Sequence, residues 1–153
     1  MKFKLLKKKG AKPSRVVILG SSGIISKNIK KKLIKKKFKF SVLGKKKLDL
    51  TKKYCVKNLK DYVKDGDTII FISAEAPVKN IKKSFNNIKM CKNVCQALKN
   101  KKLENLIYLS SDAVYSDVRS KIKENSLTKP NSLHGQMHIK REKILRSCFK
   151  KKI

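Results

Sequence analysis

Acidic residues are scarce in this chain: ten Asp and Glu stand against 42 Lys and Arg, a formal net charge of +32. Such a balance invites a nucleic-acid or anionic-membrane partner. Arginine is scarcer still, with only Arg15, Arg119, Arg141 and Arg146 among the basic residues, whereas nucleic-acid readers use arginine for bidentate contacts. Lysine spread over nearly every segment reads instead as solvated helix faces from a lysine-biased proteome. Its consequence is salt-sensitive, non-specific sticking to polyanions, and no specific nucleic-acid partner is expected. No apolar run is long enough to span a bilayer, and Met1–Lys9 is too briefly apolar for an export signal. The four cysteines, Cys55, Cys91, Cys95 and Cys148, lack the spacing of a disulfide framework, which fits a reducing cytoplasm. Internal repeats are missing too. The 153 residues leave room for one domain with a real core and not for two.

What is present centres on Val16-Val17-Ile18-Leu19-Gly20-Ser21-Ser22-Gly23-Ile24-Ile25-Ser26. A β-branched apolar run reads as a buried strand, and Gly20 lets the backbone turn where a Cβ would clash. Gly23 keeps the start of the following helix bare, so that a pyrophosphate can approach free N–H groups and the positive end of the helix dipole. The spacing is Gly-x-x-Gly-x-x-Ser rather than Gly-x-Gly-x-x-Gly, with Ser26 small enough to stand where a third glycine allows close packing. An ordinary strand-to-helix turn would look similar.

Residues 1–14 read as a basic, mobile lead-in, 15–149 as the folded domain and 150–153 as a basic tail. After the glycine turn, Ile25, Ile29 and Leu33 recur at helical spacing, and Phe38–Leu43 reads as a second strand closed by Gly44. Leu48-Asp49-Leu50 is a short strand or an extended turn. Tyr54–Val63 is helical and stops at Asp65-Gly66-Asp67. Thr68–Ser73 is the clearest buried strand. A long helix follows, with Ile81, Phe85, Ile88, Cys95 and Leu98 along one stripe. Leu106–Ser110 is a further strand, and Asn131 or Ser132 can cap a final helix carrying His134, His138, Ile144 and Leu145. Strands alternating with helices predict an α/β fold, a Rossmann-like doubly wound parallel sheet of about five strands with the glycine turn at its carboxyl edge.

From Arg15 to Arg146 the chain resembles the extended short-chain dehydrogenase/reductase family, the nucleotide-sugar epimerases and dehydratases. The likeness rests on Gly20-Ser21-Ser22-Gly23, Asp49-Leu50-Thr51, Ser73-Ala74-Glu75-Ala76-Pro77 and Leu109-Ser110-Ser111-Asp112-Ala113-Val114-Tyr115, followed by Glu124, Pro130, Gly135 and Glu142. It implies that Gly20, Ser22 and Gly23 face the pyrophosphate of a dinucleotide, with Ile24 in the same cofactor-binding set. Asp49 and Leu50 would sit beside the adenine, and Ser73 and Ala74 along the ribose and nicotinamide path. Ser111 matches the active-site hydroxyl that hydrogen-bonds the reacting substrate oxygen; the alternative is a strand-end serine satisfying local backbone.

Two departures stand out against that family. Its Tyr-x-x-x-Lys pair falls on His134-Gly135-Gln136-Met137-His138, so the catalytic positions Ser111, His134 and His138 include two histidines. The chain also stops after that helix, where the family continues into a C-terminal substrate portion. The expectation is therefore an NAD(P)-binding protein, truncated and with weak or no turnover on a nucleotide sugar. The competing readings are an active enzyme using His134 and His138, and a polyanion-binding protein. NADP is preferred over NAD, because Gly44-Lys45-Lys46-Lys47 stands where an acid would accept from the ribose hydroxyl. The exposed edge at Leu106–Ser110 would invite a homodimer or a complementing fragment. Cys91-x-x-x-Cys95 and His134-x-x-x-His138 have one-turn spacings that zinc tolerates, but Cys95 belongs to an apolar stripe and no metal site is assigned.

Overall fold

The computed structural model describes residues 13–115, 121–123 and 125–149. Most of the expected lead-in, the tail and Glu124 lie outside the described residues. The elements run β1 (Arg15–Leu19), α1 (Ile24–Lys35), β2 (Phe40–Leu43), α2 (Cys55–Tyr62), β3 (Asp67–Phe71), α3 (Ile81–Leu98), β4 (Asn105–Tyr108), a 3₁₀ turn η1 (Asp112–Val114) and α4 (Leu133–Cys148). All pairings are parallel and the strand order is β2-β1-β3-β4, a Rossmann-like arrangement. The described sheet has four strands rather than five, because Leu48–Leu50 is not a strand. The N–H groups of Lys47 and Leu48 both donate to the Gly44 carbonyl at 2.9 Å, which curls the backbone, and Leu48 and Leu50 are buried in the core from within that turn.

β1 is central, flanked on both sides, and Val17, Ile18 and Leu19 are wholly buried, as a strand covered on both faces requires. Full burial of one such side chain contributes about 1.5–3 kcal/mol, more than an exposed ion pair. The register splits the sheet into two unequal faces. Val17 and Leu19, Ile69 and Phe71, and Leu106 and Tyr108 share the face that joins the main core with α2, α3 and α4. Ile18, Ile70 and Ile107 share the other face, where exposure climbs from Ile18 at 0% to Ile107 at 51%.

Two helices bury different faces from those their spacing suggests. On α3 the buried positions are Asn87, Met90, Cys91, Val94, Cys95, Ala97 and Leu98, whereas Ile81 and Phe85 are exposed. α3 packs between α2 and α4 and shares the core with β1 and β3, so its fully buried positions begin at Asn87 and crowd toward its carboxyl end. α1 buries only Ser26 fully, with Ile25 half exposed.

Arg15 opens β1 and pairs with Asp67, which opens β3: Nε donates to Oδ1 at 2.9 Å and Nη2 to Oδ2 at 2.5 Å. Asp67 is nearly buried. Burial pushes its carboxyl pKa up, but the Arg15 bonds and the Lys64 N–H outweigh this, and the net shift is downward. A lowered folded pKa adds stability that is present above the ordinary carboxylate range and lost as pH falls through it. Asp67→Asn is therefore expected to destabilise the domain by about 3 kcal/mol at neutral pH, since it strands a half-buried guanidinium. The deficit should shrink below about pH 4. Denaturant unfolding of both proteins across pH checks this.

Candidate functional site

β2 and β3 lie on opposite sides of β1, so the chain reverses direction at β1 and opens a crevice at its carboxyl end. Gly20 leaves β1 with φ +123°, and a Cβ there would come 3.1 Å from the Ser73 backbone nitrogen. The glycine thus lets the loop press against the end of β3. Gly23 is the N-cap of α1 at φ +126°, and a Cβ built on it meets nothing within 4 Å. α1 has no side-chain cap, whereas α3 is capped by Asn80 and α4 by Ser132. The first-turn amides of α1 are left for a ligand. Ser26 is buried and donates to the Gly20 carbonyl at 2.9 Å, so the residue in the third glycine position ties the loop to its helix.

These residues line a cleft of about 270 Å³. Gly20, Ser22, Gly23 and Ile24 form one wall, and Lys45, Asp49 and Leu50 come from the turns after β2. Ser73 and Ala74 come from the loop just after β3, and Met90 of α3 also lines the cavity. The structure thus brings all nine candidate cofactor-binding residues into one cavity. Asp49 accepts from the Thr51 N–H at 2.9 Å and the Thr51 hydroxyl at 2.7 Å. Burial pushes its pKa up, but these bonds and the Lys45 and Lys52 charges carry it below the usual range. At Gly44 a Cβ would lie 2.0 Å from Ser21 Oγ, so the glycine loop occupies the space beside the end of β2.

Ser111, His134 and His138 do not line this cleft. The Ser111 hydroxyl caps η1, accepting from the Ala113 N–H at 3.2 Å and donating to Asp112 at 3.1 Å, the local-backbone role. His134 and His138 stack edge-to-face with ring centroids 4.7 Å apart. His134 Nδ1 accepts from the Val78 N–H at 3.4 Å. His138 is 5% exposed, and its Nδ1 lies 2.7 Å from the Tyr108 hydroxyl. Burial, and then the neighbouring His134 and Arg141, lower its pKa to about 4, so it is neutral at pH 7. Gly135 between them lets α4 touch η1: a Cβ would fall 1.9 Å from the Ala113 carbonyl oxygen.

Sequence reasoning missed Tyr108, Arg141 and Asn87. Arg141 is wholly buried with its guanidinium over the Phe71 ring at 4.6 Å and the Tyr108 ring at 4.9 Å. Its Nη2 donates to the Ser73 carbonyl at 2.8 Å. The available signal was its residue type, an arginine in a chain that uses lysine almost everywhere else. Asn87 accepts from the Glu75 N–H at 3.0 Å and donates to the Glu75 carbonyl at 3.2 Å, holding the loop after β3. Among the described residues no group of three or more His, Cys, Asp or Glu is arranged to hold a metal, and Cys91 and Cys95 lie within the core.

The family model described as the NAD dependent epimerase/dehydratase family matches residues 16–152. No curated protein matches the sequence. Among solved structures, the chain is similar to a dTDP-4-dehydrorhamnose reductase from Clostridium acetobutylicum, with 21% identity and a TM-score of 0.77 over 90% of this chain and 51% of that one. A Bacillus anthracis dTDP-4-dehydrorhamnose reductase in complex with NADP gives 22% identity and a TM-score of 0.76 over 92% and 51%. The Thermus thermophilus UDP-glucose 4-epimerase complex with NAD gives 19% and 0.75 over 87% and 50%. The chain spans about half the length of these relatives.

Two outcomes follow from the packing around α4. Gly135→Ala forces backbone against backbone and should destabilise the domain by about 1–3 kcal/mol, read from the denaturant midpoint. His138 refuses a proton between about pH 4 and 6.5 that the unfolded chain accepts, so it makes stability fall as pH drops through that window. His138→Gln, which cannot titrate, should flatten the slope there and leave the lower-pH loss from Asp67 in place.

Proposed function

The chain belongs to the NAD dependent epimerase/dehydratase family, and from that premise we propose that it binds a nicotinamide dinucleotide in the cleft at the carboxyl end of β1. The observation that carries this is the uncapped start of α1, opened by Gly23, inside a cavity that gathers the glycine loop, Asp49 and Ser73. Gly20, Ser22, Gly23 and Ile24 hold the pyrophosphate, Asp49 and Leu50 flank the adenine, and Ser73 and Ala74 flank the nicotinamide side. Bound there, the nicotinamide supplies hydride chemistry to a nucleotide-sugar substrate. NADP is the preferred form: Ser21 fills the space over Gly44, no acidic side chain stands at the end of β2, and Lys45 lines the cleft.

Turnover by this chain is weak or nil in this proposal. His134 and His138 stand where the family has tyrosine and lysine. The neutral imidazole of His138 supplies little positive field at pH 7, and an imidazole at position 134 is shorter than a phenol. Ser111 remains the hydroxyl nearest in role to the substrate oxygen. The bare face at β4, with Ile107 on the strand and Leu109 just beyond it exposed, suits a second copy or a complementing fragment. The described helices include none long and apolar enough to cross a membrane, and a cytoplasmic place fits the free thiols.

Titration with NADPH and NADH at moderate salt tests the reading. NADPH should bind more tightly, Gly23→Val should abolish binding of both, and Lys45→Glu should cut NADPH affinity by about tenfold while sparing NADH. Equal or NADH-favouring affinities remove the NADP preference, and binding that survives Gly23→Val removes the site.

A further inference from the structure

Three thiols meet where α3 and α4 pack together toward their carboxyl ends. Cys91 and Cys95 stand on successive turns of α3, and Cys148 is the last residue of α4. Cys91 and Cys95 are buried, at 0% and 7% exposure, whereas Cys148 is only half-buried. Cys148 Sγ donates to the Cys95 carbonyl at 3.7 Å, and the Cys95 thiol is hydrogen-bonded to the thiols of both Cys91 and Cys148. None of the three lines the cleft at the end of β1.

Helix geometry decides which pair can join. Residues four apart on a helix keep their Cβ atoms roughly 5–6 Å apart, and a disulfide needs about 3.5–4.5 Å. A Cys91–Cys95 bond would therefore distort α3. Cys148 comes to Cys95 from another helix and is not bound by that spacing. We propose that Cys95 and Cys148 form an oxidation site, a reversible disulfide that a hydroperoxide installs between α3 and α4. The oxidant meets Cys148 first, because its sulfur is the least buried of the three. The Cys148 thiolate attacks one peroxide oxygen and the O–O bond breaks. Cys148 becomes a sulfenic acid, while the second oxygen takes up a proton and leaves as water. Cys95 then bonds its sulfur to that of Cys148, and the sulfenic hydroxyl departs with the Cys95 proton as a second water. Two thiols have lost two electrons to one peroxide, and a dithiol reductant reverses the change. Disulfides of this transient kind are those a reducing compartment permits. The bond closes the chain from residue 95 to residue 148 into a loop containing β4, η1 and α4, which restricts the unfolded state and stabilises the fold. The site stands independently of the cofactor reading.

Treating the full reduced chain with an equivalent of hydrogen peroxide, alkylating the remaining thiols under denaturant and mapping the peptides reads the pairing directly. The expected product is an intrachain Cys95–Cys148 link, with Cys55 and Cys91 alkylated, that dithiothreitol removes. Its melting midpoint should lie roughly 10 °C above that of the reduced chain. Cys148→Ser keeps a hydroxyl donor for the Cys95 carbonyl and should melt near reduced wild type, with no rise after peroxide. A Cys91–Cys95 link, a link between two chains, or a Cys148 that stays unreacted or passes to sulfinic acid with Cys95 free overturns the proposal. A peroxide-induced rise that persists in Cys148→Ser overturns it as well.

Discussion

A single buried cation, Arg141, ties the last helix to the carboxyl end of β3. Arg141 reaches from the middle of α4 to the Ser73 carbonyl at the end of β3, with Phe71 and Tyr108 stacked against it. A buried charge without an anionic partner is costly, and among the described residues Arg141 makes no ion pair with a carboxylate. A carbonyl dipole, the Asn87 side-chain oxygen at 3.5 Å and two aromatic faces compensate it, each desolvated cation–π contact contributing up to about 2 kcal/mol. The same group fixes the cleft wall at Ser73, the ring plane of Tyr108 and so the environment of His138. Losing it would loosen all three together.

The sheet is protected unequally, and the cause is topological. Right-handed crossovers put α1 on one face when the chain moves from β1 to β2, and α2 and α3 on the other once it turns back. α4 packs on α3 and thickens the side that is already covered. Among the described helices α1 is the one this leaves for the opposite face, where Ile18 is buried and Ile107 of β4 is 51% exposed. The cleft lies at the reversal point, at the end of a strand whose last four residues are buried.

Much of this was legible from residue order. β1, its glycine exit and the buried β3 announce themselves as continuous apolar runs, because a parallel strand needs no polar face. The glycine loop was legible because local rules, a turn at Gly20 and a bare helix start at Gly23, coincide with the tertiary crevice; Asp49, Leu50, Ser73 and Ala74 were expected there only from the family resemblance, and they line the same cavity. The turn at Leu48–Leu50 was ambiguous, since two leucines flanking one polar residue fit a strand or a buried curl equally well. The α3 arc was misread for a different reason. Helical spacing gives an apolar stripe, but which stripe is buried depends on α4, some 50 residues later. Tyr108 and Arg141 meet only in three dimensions, and no local pattern pairs a strand tyrosine with a distant helix arginine.

The chain's charge and its candidate site turn out to be separate properties. Lys45 is the lysine that lines the cleft, whose other walls are glycine, serine, Thr51, apolar side chains, Asp49 and Glu75. Lys45 itself stands 4.0 Å from Glu75 Oε1, which partly offsets it. A phosphate entering this cavity would meet oriented backbone dipoles on short, fixed leads, whose attraction falls off within the first helical turn. Among the other described lysines many stand on exposed positions of α1, α2 and α3, where salt screens them beyond roughly 8–10 Å. Long-range charge brings anions of every kind toward the surface without distinguishing among them, and the glycine loop acts only at contact. Discrimination of a dinucleotide from other polyanions therefore falls to the loop, and added salt should weaken general sticking more than binding in the cleft.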